Sequence, residues 1–176
     1  MNTQGLIHIY CGDGKGKTTA ALGLAIRCAG SGRQVYFLQF LKGSPTSELT
    51  ILEQIPNITI QRNDQDFGFS FAMTPEEKEI VTQMHNQNLK TAIQACRQEG
   101  YDLLILDECM GALSTGLLDA DLLREFIAQK PPTLELVMTG RNPPEDLVAI
   151  ADYVSEINKI KHPYDLGIPA RCGIDK

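Results

Sequence analysis

Short apolar runs alternate along this chain with longer amphipathic stretches, the rhythm of strands interleaved with helices. Leu6-Ile7-His8-Ile9-Tyr10 is apolar and β-branched and leads toward glycine, which reads as a buried strand. Thr18 to Cys28, rich in Ala and Leu, follows as a helix with Gly30 and Gly32 as its stop signals. Gln34 to Phe40 predicts a second strand, ended by Lys42-Gly43-Ser44-Pro45. Thr46 to Gln54 predicts a short helix and Ile58-Thr59-Ile60 a third strand. In Thr74-Pro75-Glu76-Glu77 a capping threonine, a first-turn proline and two acids open a helix that runs to Glu99 and stops at Gly100. Leu103-Leu104-Ile105-Leu106 is the unbroken apolar strand of a parallel sheet covered on both faces. Asp121 to Gln129 reads as helix, Leu134 to Met138 as strand, Glu145 to Ala151 as helix and Tyr153 to Ile157 as a last strand. The alternation predicts an α/β fold: a mainly parallel central sheet with helices on both faces, in a single domain over residues 1–176.

Composition narrows the partners. A hydrophobic content of 43% with 22% charged residues is that of a globular chain. The net charge of -6 counts against nucleic acid, whose binders carry a basic face. The cysteines Cys11, Cys28, Cys96, Cys109 and Cys172 are scattered without metal-ligand spacing, which predicts reduced thiols in a cytoplasmic protein. No signal peptide and no membrane span are expected.

Between the first strand and its helix lies Gly12-Asp13-Gly14-Lys15-Gly16-Lys17-Thr18-Thr19. Strand, glycine-rich turn, Gly16-Lys17-Thr18 and helix form the context a phosphate loop needs. Glycines let backbone amides turn in around phosphate oxygens, and the helix N-terminus adds the positive end of its dipole. Lys17 offers a mobile point charge. The Thr18 hydroxyl is the expected ligand of Mg²⁺ (or Mn²⁺), an ion that keeps few protein contacts. Gly12 to Thr19 thus predict an ATP-binding site. One position departs from the G-x-x-x-x-G-K-[ST] pattern: its first glycine falls on Cys11, which weakens hydrolysis as the chemistry.

Asp107-Glu108 follows four apolar residues, so both carboxylates emerge at the carboxyl end of a buried strand, where α/β sheets hold ligands. With Thr18 they can complete a metal site, or Glu108 can serve as a base for water. Gln39 and Lys42 end another strand on the same edge. Lys42 reads either as a contact for phosphate or a second substrate's carboxylate, or as a solvated loop lysine. Arg141, in Thr139-Gly140-Arg141-Asn142-Pro143-Pro144, reads as a phosphate ligand or a turn arginine. Phe67, Phe69 and Phe71 alternate through a polar stretch; on an extended strand they share one face, which reads as core packing or, since neighbouring aliphatics are lacking, as an apolar binding wall. His8 is expected in the core, His85 on the surface and His162 in an irregular tail.

These residues together resemble the P-loop type of corrinoid adenosyltransferase over essentially the whole chain. The resemblance rests on Gly12-x-Gly14-Lys15-Gly16-Lys17-Thr18-Thr19, Gln39-Phe40-x-Lys42-Gly43, Gly68-Phe69-x-Phe71 and Leu106-Asp107-Glu108. It continues through Thr139-Gly140-Arg141-x-Pro143-Pro144 and the tail Lys161-His162-Pro163-Tyr164-x-x-Gly167-Ile168. The loop's cysteine for glycine is itself typical of that family.

The resemblance implies a RecA-like P-loop fold and a transfer rather than a hydrolysis. Co(I) of a reduced corrinoid attacks the 5′-carbon of ATP, and inorganic triphosphate leaves. It assigns Lys17 to catalysis, Gly12 to Thr19 and Arg141 to the nucleotide, and Thr18, Asp107 and Glu108 to the metal. Gln39, Lys42, Phe69 and Phe71 fall to the corrinoid. It also implies a homodimer, an electron donor such as a flavoprotein reductase, and, since members with a longer N-terminal segment use it to cover the substrate site, a site that does without that cover or borrows it from a partner subunit. Many members carry tryptophan where Phe71 stands. The competing classes are a P-loop hydrolase or kinase with Glu108 as base, and a non-catalytic carrier.

Overall fold

In a computed structural model, residues 4–43, 46–63, 65 and 67–175 are described; Ser44-Pro45, which ends the second strand in the sequence reading, lies outside them. The chain runs β1 (Ile7–Cys11), α1 (Lys17–Gly30), β2 (Val35–Gln39), α2 (Leu49–Leu52), β3 (Ile58–Arg62) and α3 (Pro75–Gln98). It continues through β4 (Leu103–Asp107), α4 (Cys109–Ser114), α5 (Ala120–Ala128), β5 (Glu135–Thr139), α6 (Glu145–Ile150) and β6 (Tyr153–Glu156), with a 3-10 turn at Pro163–Leu166. The strands form one sheet in the order β3-β2-β4-β5-β1-β6. Every pairing is parallel. One strand, β5, separates the loop-bearing β1 from the acid-bearing β4, as in the RecA-like P-loop class.

β2 and β4 are buried along their whole length because both faces of the sheet are covered. On one face Ala21, Ala25 and Ala29 of α1 lie on Val35, Phe37, Leu103, Ile105 and Val137. Alanines at a spacing of four let this helix sit close to the strands. On the other, α3, α4, α5 and α6 bury Leu89, Met110, Phe126 and Leu147 against Tyr36, Leu38, Leu104, Leu106 and Met138.

The start of α3 is fixed as its residues dictate. The Thr74 hydroxyl accepts from the Glu77 amide, and the Glu77 carboxylate accepts from the Thr74 amide. Elsewhere the elements differ from expectation. α1 ends at Gly30 and is capped by Ser31, with Gly32 left-handed at φ 84°. α2 is only four residues long and buries Leu52 alone, too little to extend a marginal helix. α4 goes unforeseen because it starts from Glu108 in the left-handed region without a side-chain cap.

The phenylalanines do not lie on a strand. Gly68 is left-handed at φ 71° and residues 70–72 turn, so extended alternation is broken. Phe67 is half-buried, whereas Phe69 and Phe71 are 74% and 84% exposed and stack on each other at 5.4 Å.

His85 is not on the surface: its exposure is 0%. It lies one turn from Val81 and from Leu89, inside the apolar stripe of α3. Its Nε2 accepts the Leu41 amide at 3.4 Å, so Nδ1 carries the proton donated to the Leu117 carbonyl at 2.8 Å. Burial pushes its pKa below the ordinary value. A group that binds its proton less readily when folded contributes stability above its unfolded pKa of about 6.5, and that contribution is lost as pH falls below it. Urea unfolding should therefore show stability declining from pH 7 to 5, with a shallower decline in His85→Gln. Equal slopes in the two proteins would contradict the buried neutral imidazole.

Candidate functional site

The site lies at the carboxyl edge of the sheet and follows from strand register. Gln39 pairs with Asp107, and Leu106 pairs with Met138, which sets Thr139 next to Asp107. Side chains alternate faces, so Gln39, Asp107 and Thr139 share the α1 face with Phe37, Ile105 and Val137. All three polar side chains are buried there. The first turn of α1 lowers Thr18 onto the same row.

Asp107 is the hub. Its Oδ1 accepts from Thr18 Oγ1 at 2.8 Å and from Thr139 Oγ1 at 2.7 Å. Its Oδ2 accepts from Gln39 Nε2 at 3.0 Å and faces Lys42 Nζ at 3.6 Å. A buried carboxylate needs such partners. Gln39 Oε1 accepts no hydrogen bond from the described residues although the side chain is buried. Next along the chain, Glu108 has φ 58° and ψ 21°, and its amide donates to Thr139 Oγ1 at 2.9 Å. Burial, and then the charge of Asp107, raise the Glu108 pKa, opposed by Lys42, Lys17 and Arg141.

The loop is shaped by close approach. A Cβ on Gly12 would sit 2.4 Å from the Ile157 carbonyl oxygen, and one on Gly14 2.6 Å from the same atom. Gly14 N–H donates to that oxygen at 2.7 Å. Cys11, at the loop's first position, is buried at the end of β1, and burial raises its thiol pKa. Lys17 Nζ donates to the Gly14 carbonyl at 2.7 Å, and burial depresses its pKa. Thr19 is exposed in the same helical turn. Arg141, exposed in the turn after β5, lies within electrostatic reach of Asp13, Lys17 and Glu108.

The C-terminal tail closes the loop's outer side, which no local pattern in the sequence indicates. Lys15 Nζ donates to the Ile174 carbonyl at 2.7 Å and pairs with Asp175 at 2.8 Å. Asp13 accepts the Lys159 amide at 2.9 Å, and this bond is the main cause of its lowered pKa. Thr139, Lys159 and Asp175 are thus site residues that sequence reasoning left without a role. Counting by two from Phe37 and Val137 would have put Gln39 and Thr139 on the α1 face. The tail contacts span well over a hundred residues and carry no such signal.

No group of three or more His, Cys, Asp or Glu residues among those described can hold a metal by itself. A Mg²⁺ site would instead need substrate phosphates, as this ion usually does. The oxygen chemistry fits. Thr18 Oγ1 and Asp107 Oδ1 are 2.8 Å apart, close to the ~2.9 Å between neighbouring ligands in an octahedron with ~2.05 Å bonds. No described helix is long and apolar enough to cross a membrane.

Comparison with known proteins shows the family. Residues 3–175 match the family described as ATP:corrinoid adenosyltransferase BtuR/CobO/CobP. The corrinoid adenosyltransferase of Escherichia coli K12 is 31% identical over 99% of this chain and 87% of its own length. That of a Sinorhizobium species is 33% identical over 98% of this chain and 80% of its own. Corrinoid adenosyltransferase CobA of Salmonella typhimurium LT2 is 31% identical over 98% and 86%. Among solved structures, the Aeropyrum pernix ORC2 protein overlaps 90% of this chain and 43% of its own at TM-score 0.44 and 14% identity, too distant to bear on function. The chain belongs to the ATP:corrinoid adenosyltransferase family, and is a transferase acting on ATP and a corrinoid.

Proposed function

We propose that Gly12 to Thr19 and Arg141 hold the triphosphate of ATP as a leaving group, while Phe69 and Phe71, with Lys42 and Gln39, serve the corrinoid side. The observation that carries this reading is that a phosphate loop and a stacked, exposed phenylalanine pair follow the carboxyl ends of β1 and β3, strands of one parallel sheet. Such exposure of two large apolar rings marks a ligand surface rather than core.

Thr18 and Asp107 would hold Mg²⁺ or Mn²⁺ beside the phosphates, with Glu108 near enough to join them. The ion, when bound, supplies positive charge to the triphosphate. The orphan Gln39 Oε1 supports a donor arriving with the ligands, because an unpaired buried acceptor costs roughly 1–3 kcal/mol. Lys17 leaves the Gly14 carbonyl for the phosphates and offsets the charge that grows there as the bond to the 5′-carbon breaks. The attacking group is Co(I), so no protein nucleophile is required. The chain would act in the cytoplasm as a single-domain homodimer, receiving electrons from a donor such as a flavoprotein reductase.

The raised pKa of Glu108 also suits a proton acceptor, which keeps hydrolysis as the competing chemistry. Products separate the two. With ATP, Mg²⁺ and chemically reduced cobalamin, the transferase should yield triphosphate and a light-sensitive cobalt–carbon chromophore in equal amounts. Corrinoid-independent phosphate release without that chromophore would favour the hydrolase.

Two substitutions follow. Lys17→Ala should lower kcat by roughly 10²–10³-fold, about 2.7–4 kcal/mol of transition-state stabilisation; undiminished turnover would remove the loop from the chemistry. Phe71→Ala should keep ATP affinity and the use of pre-reduced Co(I), while slowing turnover from Co(II) with a reductase. Equal damage to all three measurements would make Phe71 a purely structural residue.

A further inference from the structure

The left-handed backbone at Glu108 is held by a hydrogen bond to one buried hydroxyl. Three non-glycine residues have positive φ among those described: Leu41 at 60°, Glu108 at 58° and Asn142 at 49°. Each directly follows, or lies within three residues of, the end of a strand on the site edge. For a residue that is neither glycine nor asparagine, this conformation persists only where surrounding structure enforces it. At Glu108 the enforcing contact is visible. Thr139 Oγ1 accepts the Glu108 amide at 2.9 Å while donating its own proton to Asp107 Oδ1 at 2.7 Å. A hydroxyl has one proton to give and lone pairs to receive, so both bonds form at once.

The surroundings leave Thr139 little freedom. It has no solvent exposure, and its branched side chain has few rotamers on a strand. The following residue, Gly140, has φ 137°, and a Cβ there would meet Met110 Cβ at 2.8 Å. The end of β5 therefore does two things. Thr139 fastens the peptide that turns the chain out of β4, and the bare Gly140 lets the start of α4 settle against it.

We propose that Thr139 is the positioning residue of the acidic pair: its hydroxyl locks the Asp107 carboxylate and the Glu108 turn into one rigid unit facing Thr18. This rests on the reading above that Thr18 and Asp107 hold the divalent ion. Asp107 Oδ1 accepts from both Thr18 and Thr139; Thr18 would meet the ion through an oxygen lone pair and keep its proton on Asp107, while Thr139 holds the same oxygen from the neighbouring strand. Thr139 is the donor that takes no part in holding the ion, and it keeps the carboxylate oriented while the ion binds. Nothing about Thr139 requires contact with substrate.

The test compares Thr139→Val, which keeps the shape and loses the hydroxyl, with Thr139→Ser, which keeps the hydroxyl. Mn²⁺ binding in the presence of ATP is followed by electron paramagnetic resonance, metal-free ATP binding by calorimetry, and exchange of the Glu108 amide by NMR. For Thr139→Val the expected result is Mn²⁺ affinity weakened roughly 10–100-fold, the span of a lost hydrogen bond to a charged group. Glu108 exchange should quicken and metal-free ATP affinity stay unchanged. Thr139→Ser should restore both altered readouts to near the parent values. If Thr139→Val does not fold, Thr139→Ala removes the hydroxyl without placing a new methyl beside the carboxylate and carries the same expectation. Mn²⁺ binding like the parent's in the hydroxyl-free variant would overturn the proposal, as would a serine variant as impaired as the valine one. Asp107→Asn run alongside separates the two claims: if it binds Mn²⁺ as the parent does, the metal reading itself fails.

Discussion

A carboxylate sealed from solvent is the constraint around which this site is built. Asp107 is fully buried, and a charge in that position is costly unless partners satisfy it. Thr18, Thr139 and Gln39 supply three donors, and Lys42 supplies a nearby charge. Those four groups come from α1, β5, β2 and the loop after β2. Satisfying one carboxylate thus ties together the helix that carries the phosphate loop and the three strands behind it.

Strain and cover follow from the same place. Leu41 and Glu108 take left-handed turns that bring Lys42 and the second carboxylate to the edge, and the buried side chains of His85 and Thr139 receive their amides. Behind them β2 and β4 are buried along their whole length, so the strained turns have a packed base. In front, Ile157, Lys159 and the Ile174-Asp175 segment close around the loop, and Gly12 and Gly14 are bare because the Ile157 carbonyl leaves no room for a Cβ. The loop thus has a defined shape and internal partners for both of its lysines.

Much of the frame was legible in the sequence because it depends on local pattern. The apolar run Leu103 to Leu106 announced a buried strand, Thr74 to Glu77 announced the start of α3, and Gly16-Lys17-Thr18 after a strand announced the loop. Asp107-Glu108 at a strand end was legible for the same reason. His85 was misplaced although its spacing from Val81 and Leu89 held the answer; the polar residues around it hid the stripe. Left-handed Leu41 and Glu108 have no signature, since neither residue type favours that conformation and the partners of both amides, His85 and Thr139, are distant in sequence. The extended phenylalanine wall failed because Gly68 turned the chain. The exposure of Phe69 and Phe71 was the part of that expectation the residues did support, as too few aliphatics surround them to make a core.

Transfer from the ribose carbon is the central claim, and the fate of a single oxygen tests it most directly. ATP carrying ¹⁸O at the bridging 5′ position is turned over with chemically reduced cobalamin, and the products are separated and weighed by mass spectrometry. Attack at the 5′-carbon breaks the carbon–oxygen bond, so the label should appear in the released triphosphate and be missing from the adenosyl group on cobalt. Label retained in a nucleotide, with unlabelled phosphate released, would mean that a phosphorus–oxygen bond is broken and would contradict the account.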